Sequence, residues 1–533
     1  MKVLVADRLE KDGLELLKKE KGIQADVKLG LSPDELVKTI PAYDAVIVRS
    51  STRITKEIIE AGKNLKVIGR AGVGVDNVDL DAATKRGIIV MNTPEGNTTA
   101  TAEHTMTMIL ALARKVPQAH ASVVQGKWNR EEFIGIELQG KTLGVIGLGR
   151  IGREVARRAS QGFSMKVIAF DPFITEASAK SLDVVFCELK KLLKEADFIT
   201  VHTPLIPETK HLINRQAFQL MKSGVRIINC ARGGIVDEKA LLDAIQSGKV
   251  AGAALDVFEK EPPVKNPLLK RPEVVVTPHL GAATREAQEN VSVAVVRQLV
   301  DALHERAFRN AVNRPSVDAE TYKKIKPWVI LAHNMGSFHT QYFGGKLQEV
   351  TIGFGGEVTQ YPLEELVNAV LIGLLTPICG NTVNFVNAQS VARERGITVS
   401  QTRPSEAKDF SNFIEIVTSG NHEKNKMTGT LFGKKFPRIV NINEFWGLDV
   451  DPHGYVLVIK NEDMPGVVGK LGTVLGENRV NIAEMSLARE QKDKKMLALT
   501  TINTDQDVPA KVLEKIKNAN ILDIKLVKLP KKQ

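Results

Sequence analysis

Three residues in this 533-residue chain have the types that proton transfer and anion binding require. His279 stands in Thr277-Pro278-His279-Leu280-Gly281, directly after an apolar run. An imidazole there is a candidate base at neutral pH. Glu261, in Glu259-Lys260-Glu261-Pro262-Pro263, lies just beyond the run that ends at Asp256 and is a candidate partner for the far imidazole nitrogen. Such a carboxylate orients the ring and stabilises its protonated form. Arg232, in Cys230-Ala231-Arg232-Gly233-Gly234, offers a planar fork for a carboxylate, and the glycines leave the approach open. A base, its orienting carboxylate and a cation are what hydride removal from a hydroxy acid needs. Asp256, at the end of another apolar run, is a candidate acceptor for a nicotinamide amide. Plainer readings stand beside each: a structural or exposed histidine, a solvated loop carboxylate, a surface ion pair, and a helix or turn cap.

The element that must position these groups is residues 141–158. An apolar run, Leu143 to Ile146, turns through Gly147-Leu148-Gly149-Arg150-Ile151-Gly152 into a helical pattern. This is the strand, glycine turn and helix of a dinucleotide site. Gly147 permits the turn, Gly149 leaves room for a pyrophosphate, and Gly152 lets helix and strand approach. A second run, Met165 to Phe170, ends in Asp171, where a carboxylate meets the adenosine ribose. Asp171 repels a 2′-phosphate, and Pro172-Phe173 supply no cation for one, so the expected cofactor is NAD.

Further strands are predicted at Phe198–His202, Val225–Cys230, Ala251–Asp256 and Val274–Thr277. Their carboxyl ends carry Thr203, Arg232, Asp256 and His279, where ligands of parallel sheets sit. Residues 1–97 also alternate strand and helix patterns, with strands at Lys2–Ala6, Ala45–Val48 and Lys66–Gly69, but lack the glycine turn. The helical pattern Arg285–Leu303 returns the chain to that first block, which leaves a cleft between two lobes. Residues near Asn313-Arg314-Pro315 read as a linker. Beyond it lies a mixed block with strands at Glu349–Gly353, Thr398–Thr402, Phe413–Thr418 and Arg438–Ile442 and a helix at Leu363–Leu375. The last block reads strand, helix, strand, strand, helix, strand, a ferredoxin-like order. The expected fold is therefore α/β: a Rossmann-type NAD domain (98–281), a flavodoxin-like substrate domain (1–97 and 282–312), an α+β intervening domain (318–450) and a ferredoxin-like terminal domain (454–533).

Composition sets bounds. The chain is 43% hydrophobic and 25% charged, an ordinary globular balance. Its net charge of +11 comes without a basic stripe, and aromatics are only 5%, so neither nucleic acid nor membrane is an expected partner. A modest positive field favours anionic substrates. Three widely spaced cysteines, Cys187, Cys230 and Cys379, form neither a disulfide framework nor a metal site. With no signal segment, the expected location is the cytoplasm.

The motifs GLGRIG, VHTPL, NCARGGIVDE, AALDVFEKEPP and PHLGA resemble the D-isomer-specific 2-hydroxyacid dehydrogenases. With VRSSTRIT, IGRAGVGVDNVDL, GTLFGKKFPRIVNI and NEDMPGVVGKLG, the whole chain is similar to that family's long form, with intervening and ACT domains. The resemblance implies NAD-dependent oxidation of 3-phospho-D-glycerate to 3-phosphohydroxypyruvate, the first step of L-serine biosynthesis. It implies that Arg232, Glu261 and His279 are catalytic. Cofactor contacts fall on Gly147, Gly149, Arg150, Ile151, Gly152, Asp171, Thr203, Cys230, Ala231, Arg232, Asp256, His279, Gly281 and Ala282. Substrate contacts fall on Arg53, Arg70, Gly72, Val73 and Gly74, and Arg130 is implied to reach a neighbouring subunit's cleft. Val73 departs from relatives that carry threonine there.

The terminal block resembles an ACT domain, whose ligand loop maps onto Asp463, Met464, Pro465 and Gly466, with Asn481 on the next strand. That implies L-serine as a regulatory ligand, and the family implies a homotetramer. An anion site near Lys434, Lys435 and Arg438 competes with a solvated lysine cluster, the favoured reading. Two rival functions remain: a glyoxylate, hydroxypyruvate or other D-2-hydroxyacid reductase, and a non-catalytic NAD-sensing protein on the same fold.

Overall fold

A computed structural model describes residues 1–173, 184–403, 410–420, 423–492, 495–517 and 521–532. Gln533, the last residue of the terminal block, lies outside them. The first five strands are β1 (Lys2–Val5), β2 (Gln24–Val27), β3 (Ala45–Val48), β4 (Val67–Arg70) and β5 (Ile89–Met91). They form one parallel sheet in the order β2-β1-β3-β4-β5, the flavodoxin-like arrangement. The sequence pattern gives no sign of β2 or β5. The first is a half-polar edge strand and the second only three residues long, so neither carries a readable period.

The second sheet holds β6 (Thr142–Ile146), β7 (Lys166–Phe170), β8 (Val185–Phe186), β9 (Phe198–Val201), β10 (Val225–Asn229), β11 (Val250–Leu255) and β12 (Val274–Val276). All are parallel, in the order β12-β11-β10-β9-β6-β7-β8. The order reverses beside β6, the switch point where doubly wound sheets bind dinucleotides. Helix α1 (Thr98–Arg114) packs inside this lobe against α2 (Arg150–Phe163), the helix that follows the glycine turn. Helix α3 (Arg285–Leu303) packs instead on the first sheet, where Val295 and Leu299 press on Gly69. The chain therefore crosses between the lobes twice.

The composition around Asn313-Arg314-Pro315 marks a linker; the structure half-buries it and leaves the Arg314 side chain only 5% exposed. Asn313 accepts from Val90 N at 2.9 Å and donates to Ile88 O at 2.9 Å, extending the edge of β5. Arg314 lies over the Phe308 ring at 3.3 Å and the Phe385 ring at 4.4 Å, and pairs with Glu365, which is wholly buried. Polar residues suit this segment because each one has a partner from a different domain.

Helices α4 (Ala319–Phe343) and α5 (Leu363–Cys379) cross where Gly336 and Gly373 let the backbones meet. A Cβ on either would strike the other helix's backbone. They cover a sheet of β13 (Glu349–Gly355), β14 (Thr398–Thr402), β15 (Phe413–Gly420), β16 (Glu423–Phe432), β17 (Phe436–Ile442) and β18 (Phe445–Val450) in the order β14-β13-β15-β16-β17-β18. The last sheet, β19 (Tyr455–Glu462), β20 (Ile482–Lys492), β21 (Lys495–Thr504) and β22 (Ile521–Lys528), is antiparallel in the order β20-β21-β19-β22. With α6 (Val467–Glu477) and α7 (Ala510–Ile516) on one face, it is ferredoxin-like. No helix among the described residues is long and apolar enough to cross a membrane.

Removing one partner of a buried pair strands the other charge. Arg314→Met should therefore destabilise the chain by about 3–5 kcal/mol, and Arg314→Met with Glu365→Met should recover much of that loss. Urea-unfolding midpoints of the two variants check it.

Candidate active site

The carboxyl ends of β9 to β12 face the first lobe across a cleft of about 900 Å³. Strands β10, β11 and β12 end at Asn229, Leu255 and Val276, so Arg232, Asp256 and His279 all emerge at this edge. Glu261 reaches it from the loop after β11. His279 Nδ1 lies 2.9 Å from Glu261 Oε2, and Glu261 Oε1 accepts from Phe258 N at 3.1 Å. Burial alone would raise the Glu261 carboxyl; the hydrogen bond and charge of His279 outweigh it and leave the group below its ordinary range. The carboxylate thus stays ionised, and the imidazole's other nitrogen is left for a substrate.

Asp256 is almost wholly buried. Its Oδ1 accepts from Thr277 Oγ1 at 2.6 Å and Leu280 N at 2.7 Å, and its Oδ2 from Gly281 N at 2.9 Å. His104 on α1 approaches Oδ1 at 3.2 Å. These partners make Asp256 the cap of the turn that carries His279. The turn also takes a bond from Thr101 Oγ1 to Gly281 O at 3.0 Å.

Arg232 spans the cleft. Its Nη1 donates to Ala231 O at 2.7 Å, and its Nε to Asp76 Oδ2 in the first lobe at 3.1 Å. Arg53, Arg70 and the Gly72-Val73-Gly74 turn line the opposite wall, joined by Arg49. Arg70 is brought down to about 10 by burial, then by the nearby Arg232 charge, and remains a cation at neutral pH. Its Nε is buried without a partner. A Cβ on Gly72 would strike the Arg70 guanidinium, and one on Gly74 that of Arg232. The two glycines hold open the space that the two cations use. Arg49 and Asp76 escape the sequence reading because no spacing rule singles them out. Their signals are weak: Arg49 directly follows the apolar run Ala45–Val48, and Asp76 lies two residues past the Ala71–Gly74 turn.

The glycine turn at the end of β6 fits a dinucleotide. Gly147 has φ +92°, and its Cβ would meet His202 O. A Cβ on Gly152 would drive into the Gly147 carbonyl, whereas one on Gly149 meets nothing. Helix α2 starts at Gly149 with no side-chain cap, so its first N–H groups are open to an anion. Asp171 Oδ2 accepts from Leu148 N at 2.8 Å and steadies the turn. Thr203 Oγ1 is buried without a partner, a free polar atom on this edge. Arg150 is exposed beside Glu95 at 3.7 Å, Ile151 packs at the lobe's core, and Ala282 lines the cleft. Cys230 is buried, and burial pushes its thiol up to about 12, which makes it inert.

Three groups of expected residues lie elsewhere. Arg130 does not line this cleft; it stacks on the exposed Trp128 ring at 5.7 Å. Asp463 accepts from Arg489 Nε at 3.1 Å, Pro465 and Gly466 are exposed at the start of α6, and Asn481 donates to Asp505 at 2.6 Å. Arg438 is not a free cation: it pairs with Asp449 at 2.7 Å, Asp451 at 3.4 Å and Glu484 at 3.5 Å. Lys434 sits in solvent against Glu357 at 3.3 Å.

Family models match three segments: the D-isomer specific 2-hydroxyacid dehydrogenase NAD binding domain at 106–281, the D-3-phosphoglycerate dehydrogenase intervening domain at 324–443, and the ACT domain at 455–520. Curated D-3-phosphoglycerate dehydrogenases match end to end. The protein from Archaeoglobus fulgidus is 43% identical over 99% of this chain and 100% of its own, and that from Bacillus subtilis likewise. This chain belongs to the D-3-phosphoglycerate dehydrogenases. It is an oxidoreductase, and its cofactor is NAD. The two catalytic lobes also resemble solved structures. A Thermus thermophilus protein is 40% identical with TM-score 0.54, covering 58% of this chain and 100% of its own. A D-lactate dehydrogenase from Aquifex aeolicus, solved with NAD and lactic acid, is 32% identical with TM-score 0.53, covering 59% and 100%.

Because the Gly149 Cβ position is empty, Gly149→Ala of this dehydrogenase should fold as the wild type does and weaken NADH binding by about tenfold or more. Melting temperature and NADH fluorescence titration check both halves.

Proposed function

We propose that this chain oxidises 3-phospho-D-glycerate to 3-phosphohydroxypyruvate, the first step of L-serine biosynthesis. The observation that carries the reading is the convergence of Arg49, Arg53, Arg70 and Arg232 on one cleft. A small hydroxy acid has a single carboxylate to hold. A substrate with a carboxylate and a phosphate needs cations at both ends.

In this reading Arg232 grips the substrate carboxylate, and the first-lobe arginines take the phosphate. The backbone N–H groups of Ala71–Gly74 add donors to the carboxylate. The open imidazole nitrogen of His279 accepts the hydroxyl proton. Glu261, held ionised, stabilises the imidazolium through Nδ1. NAD, when bound, supplies the hydride acceptor, with its pyrophosphate on Gly149 and the start of α2 and its ribose on Asp171. Residues 1–97 with 282–312 act as the substrate lobe and 98–281 as the cofactor lobe.

A glyoxylate or hydroxypyruvate reductase has less use for the first-lobe arginines, and an NAD sensor has none for the Glu261–His279 pair. His279→Ala should lose about 10²–10⁴ in kcat while keeping NADH affinity. NADH formation from 3-phosphoglycerate, D-lactate, glycerate and 2-hydroxyglutarate tests the substrate. Preference for an unphosphorylated acid would sink the assignment.

The terminal domain serves as the regulatory module and takes L-serine near Asp463, Pro465, Gly466 and Asn481. Serine should bind the full chain by calorimetry, and Asn481→Ala should weaken it about tenfold. Unchanged affinity would move the ligand elsewhere. Two apolar faces support a homotetramer. Helix Val116–Val124 has no buried residue, and its Val123 and Val124 are exposed together with Trp128 and Ile134 beyond it. Met464, Val468 and Met496 are exposed on the terminal domain. Two separate self-complementary faces build a tetramer from dimers. Arg130 lies within the first face, where it reaches a neighbour. Three unpaired cysteines suit a reducing cytoplasm.

A further inference from the structure

The active-site reading leaves Asp76, a charged residue of the cleft, without a role. Asp76 belongs to the first lobe, on the loop after β4 that also carries the Gly72–Gly74 turn. That loop is stapled at both ends. Asn77 Nδ2 donates to Arg49 O and Thr52 O, both at 2.6 Å. Asn92 Nδ2 donates to Val73 O at 2.5 Å, and Thr93 N to Gly72 O at 2.8 Å. Asp76 is therefore held by its backbone rather than by burial, since its side chain is 68% exposed.

From there its Oδ2 crosses the cleft to the Arg232 Nε–H at 3.1 Å. The contact is possible because residue 74 is glycine: a Cβ there would collide with the Arg232 guanidinium and lie 2.7 Å from Asp76 Oδ2. The other fixed point of the guanidinium is the bond from Nη1 to Ala231 O at 2.7 Å. With Nε and Nη1 both tied, the fork can no longer swivel about its long side chain. Nη2 and the remaining Nη1 hydrogen are left as the edge for a ligand. Arg232 has a planar fork with five N–H groups, so an anchor at Nε costs nothing at the opposite edge.

We propose that Asp76 is a positioning residue, a carboxylate clasp across the cleft that holds Arg232 by Nε so that the Nη edge meets the substrate carboxylate. The inference rests on the reading of Arg232 as the carboxylate-binding group. Because the two partners sit on different lobes, the clasp forms only when the lobes are close. Closure of the cleft and orientation of the arginine are then one event. This also separates the roles of the two flanking cations. Arg70 is held by burial, whereas Arg232 is held by an ion pair that depends on the opposite lobe.

Asp76 is 68% exposed and Arg232 keeps its bond to Ala231 O without it, so deleting the pair should barely change stability. Its effect should appear in catalysis, where a misplaced fork is costly. Asp76→Ala should lower kcat/KM for 3-phosphoglycerate by about tenfold or more, mainly through a higher KM, with NADH affinity and melting temperature unchanged. Asp76→Asn keeps an oxygen that accepts the Nε–H bond and should restore most of the loss. A kcat/KM for Asp76→Ala within about twofold of wild type overturns the proposal. So do equal losses in the alanine and asparagine variants, or a loss matched by a lower melting temperature. Wild-type turnover measured in the same series tests the substrate assignment separately. If the wild type prefers another 2-hydroxy acid, the variants are compared on that acid, because each such acid presents the carboxylate that Arg232 would hold.

Discussion

The catalytic edge depends on one buried carboxylate. Asp256 accepts from a hydroxyl and two backbone N–H groups of the turn after β12, and its own carbonyl accepts from His279 N at 2.9 Å. Those bonds keep His279 at φ +57°, a left-handed conformation that a non-glycine residue adopts only when its surroundings dictate it. In that conformation Nδ1 faces Glu261, and the rest of the ring stays open to the cleft. Desolvation works against the Asp256 charge, but His104, Thr277 and Leu280 outweigh it and leave the carboxyl below its ordinary range. The turn that carries the proposed base is thus tied to α1, the first of two segments by which the chain passes between lobes.

The two crossings give the cleft its electrostatic character. The last residue of β4 and the loops after β3, β4, β10, β11 and β12 supply the charged groups. The first lobe contributes arginines, the second the histidine pair and the dinucleotide turn. A cleft that gathers like charges needs counter-ions. Asp76 is one: it bonds Arg232, and its charge opposes the lowering of Arg70 by burial. Glycines at 72 and 74 are what let two guanidinium groups share so small a space.

Beyond the lobes, the junction at Arg314 turns a polar connection into a structural joint. Its guanidinium is stacked between two phenyl rings and paired with a wholly buried glutamate, so the third domain is fastened to the first rather than tethered to it. Burial pushes Glu365 up, and the Arg314 charge opposes that shift. Asn384 adds a bond to Gly87 O at 2.9 Å on the same face. The terminal domain is joined in turn through Asp451, which meets Arg438 and His453.

Local pattern was enough wherever an element carried its own signal. The turn from Gly147 to Gly152, helix Glu238–Gln246, helix Arg285–Leu303 and strand β14 stand in the structure where their sequence places them. Apolar period and glycine spacing are properties of neighbouring residues, so one chain suffices to read them. Strand β16, with sequence Glu-Lys-Asn-Lys-Met-Thr-Gly-Thr-Leu-Phe, escaped because it is polar. It exists because β15 and β17 pair with it on both sides and Gly429 accommodates Met335. The residue types of Arg232, Glu261 and His279 already named their chemistry, and the loops set only their order along the chain. That Glu261 lies 2.9 Å from His279, that Asp76 meets Arg232, and that Arg314 is buried were decided by tertiary structure alone. Each is a contact between segments whose separation no local pattern encodes, closed only when two packed units bring them together.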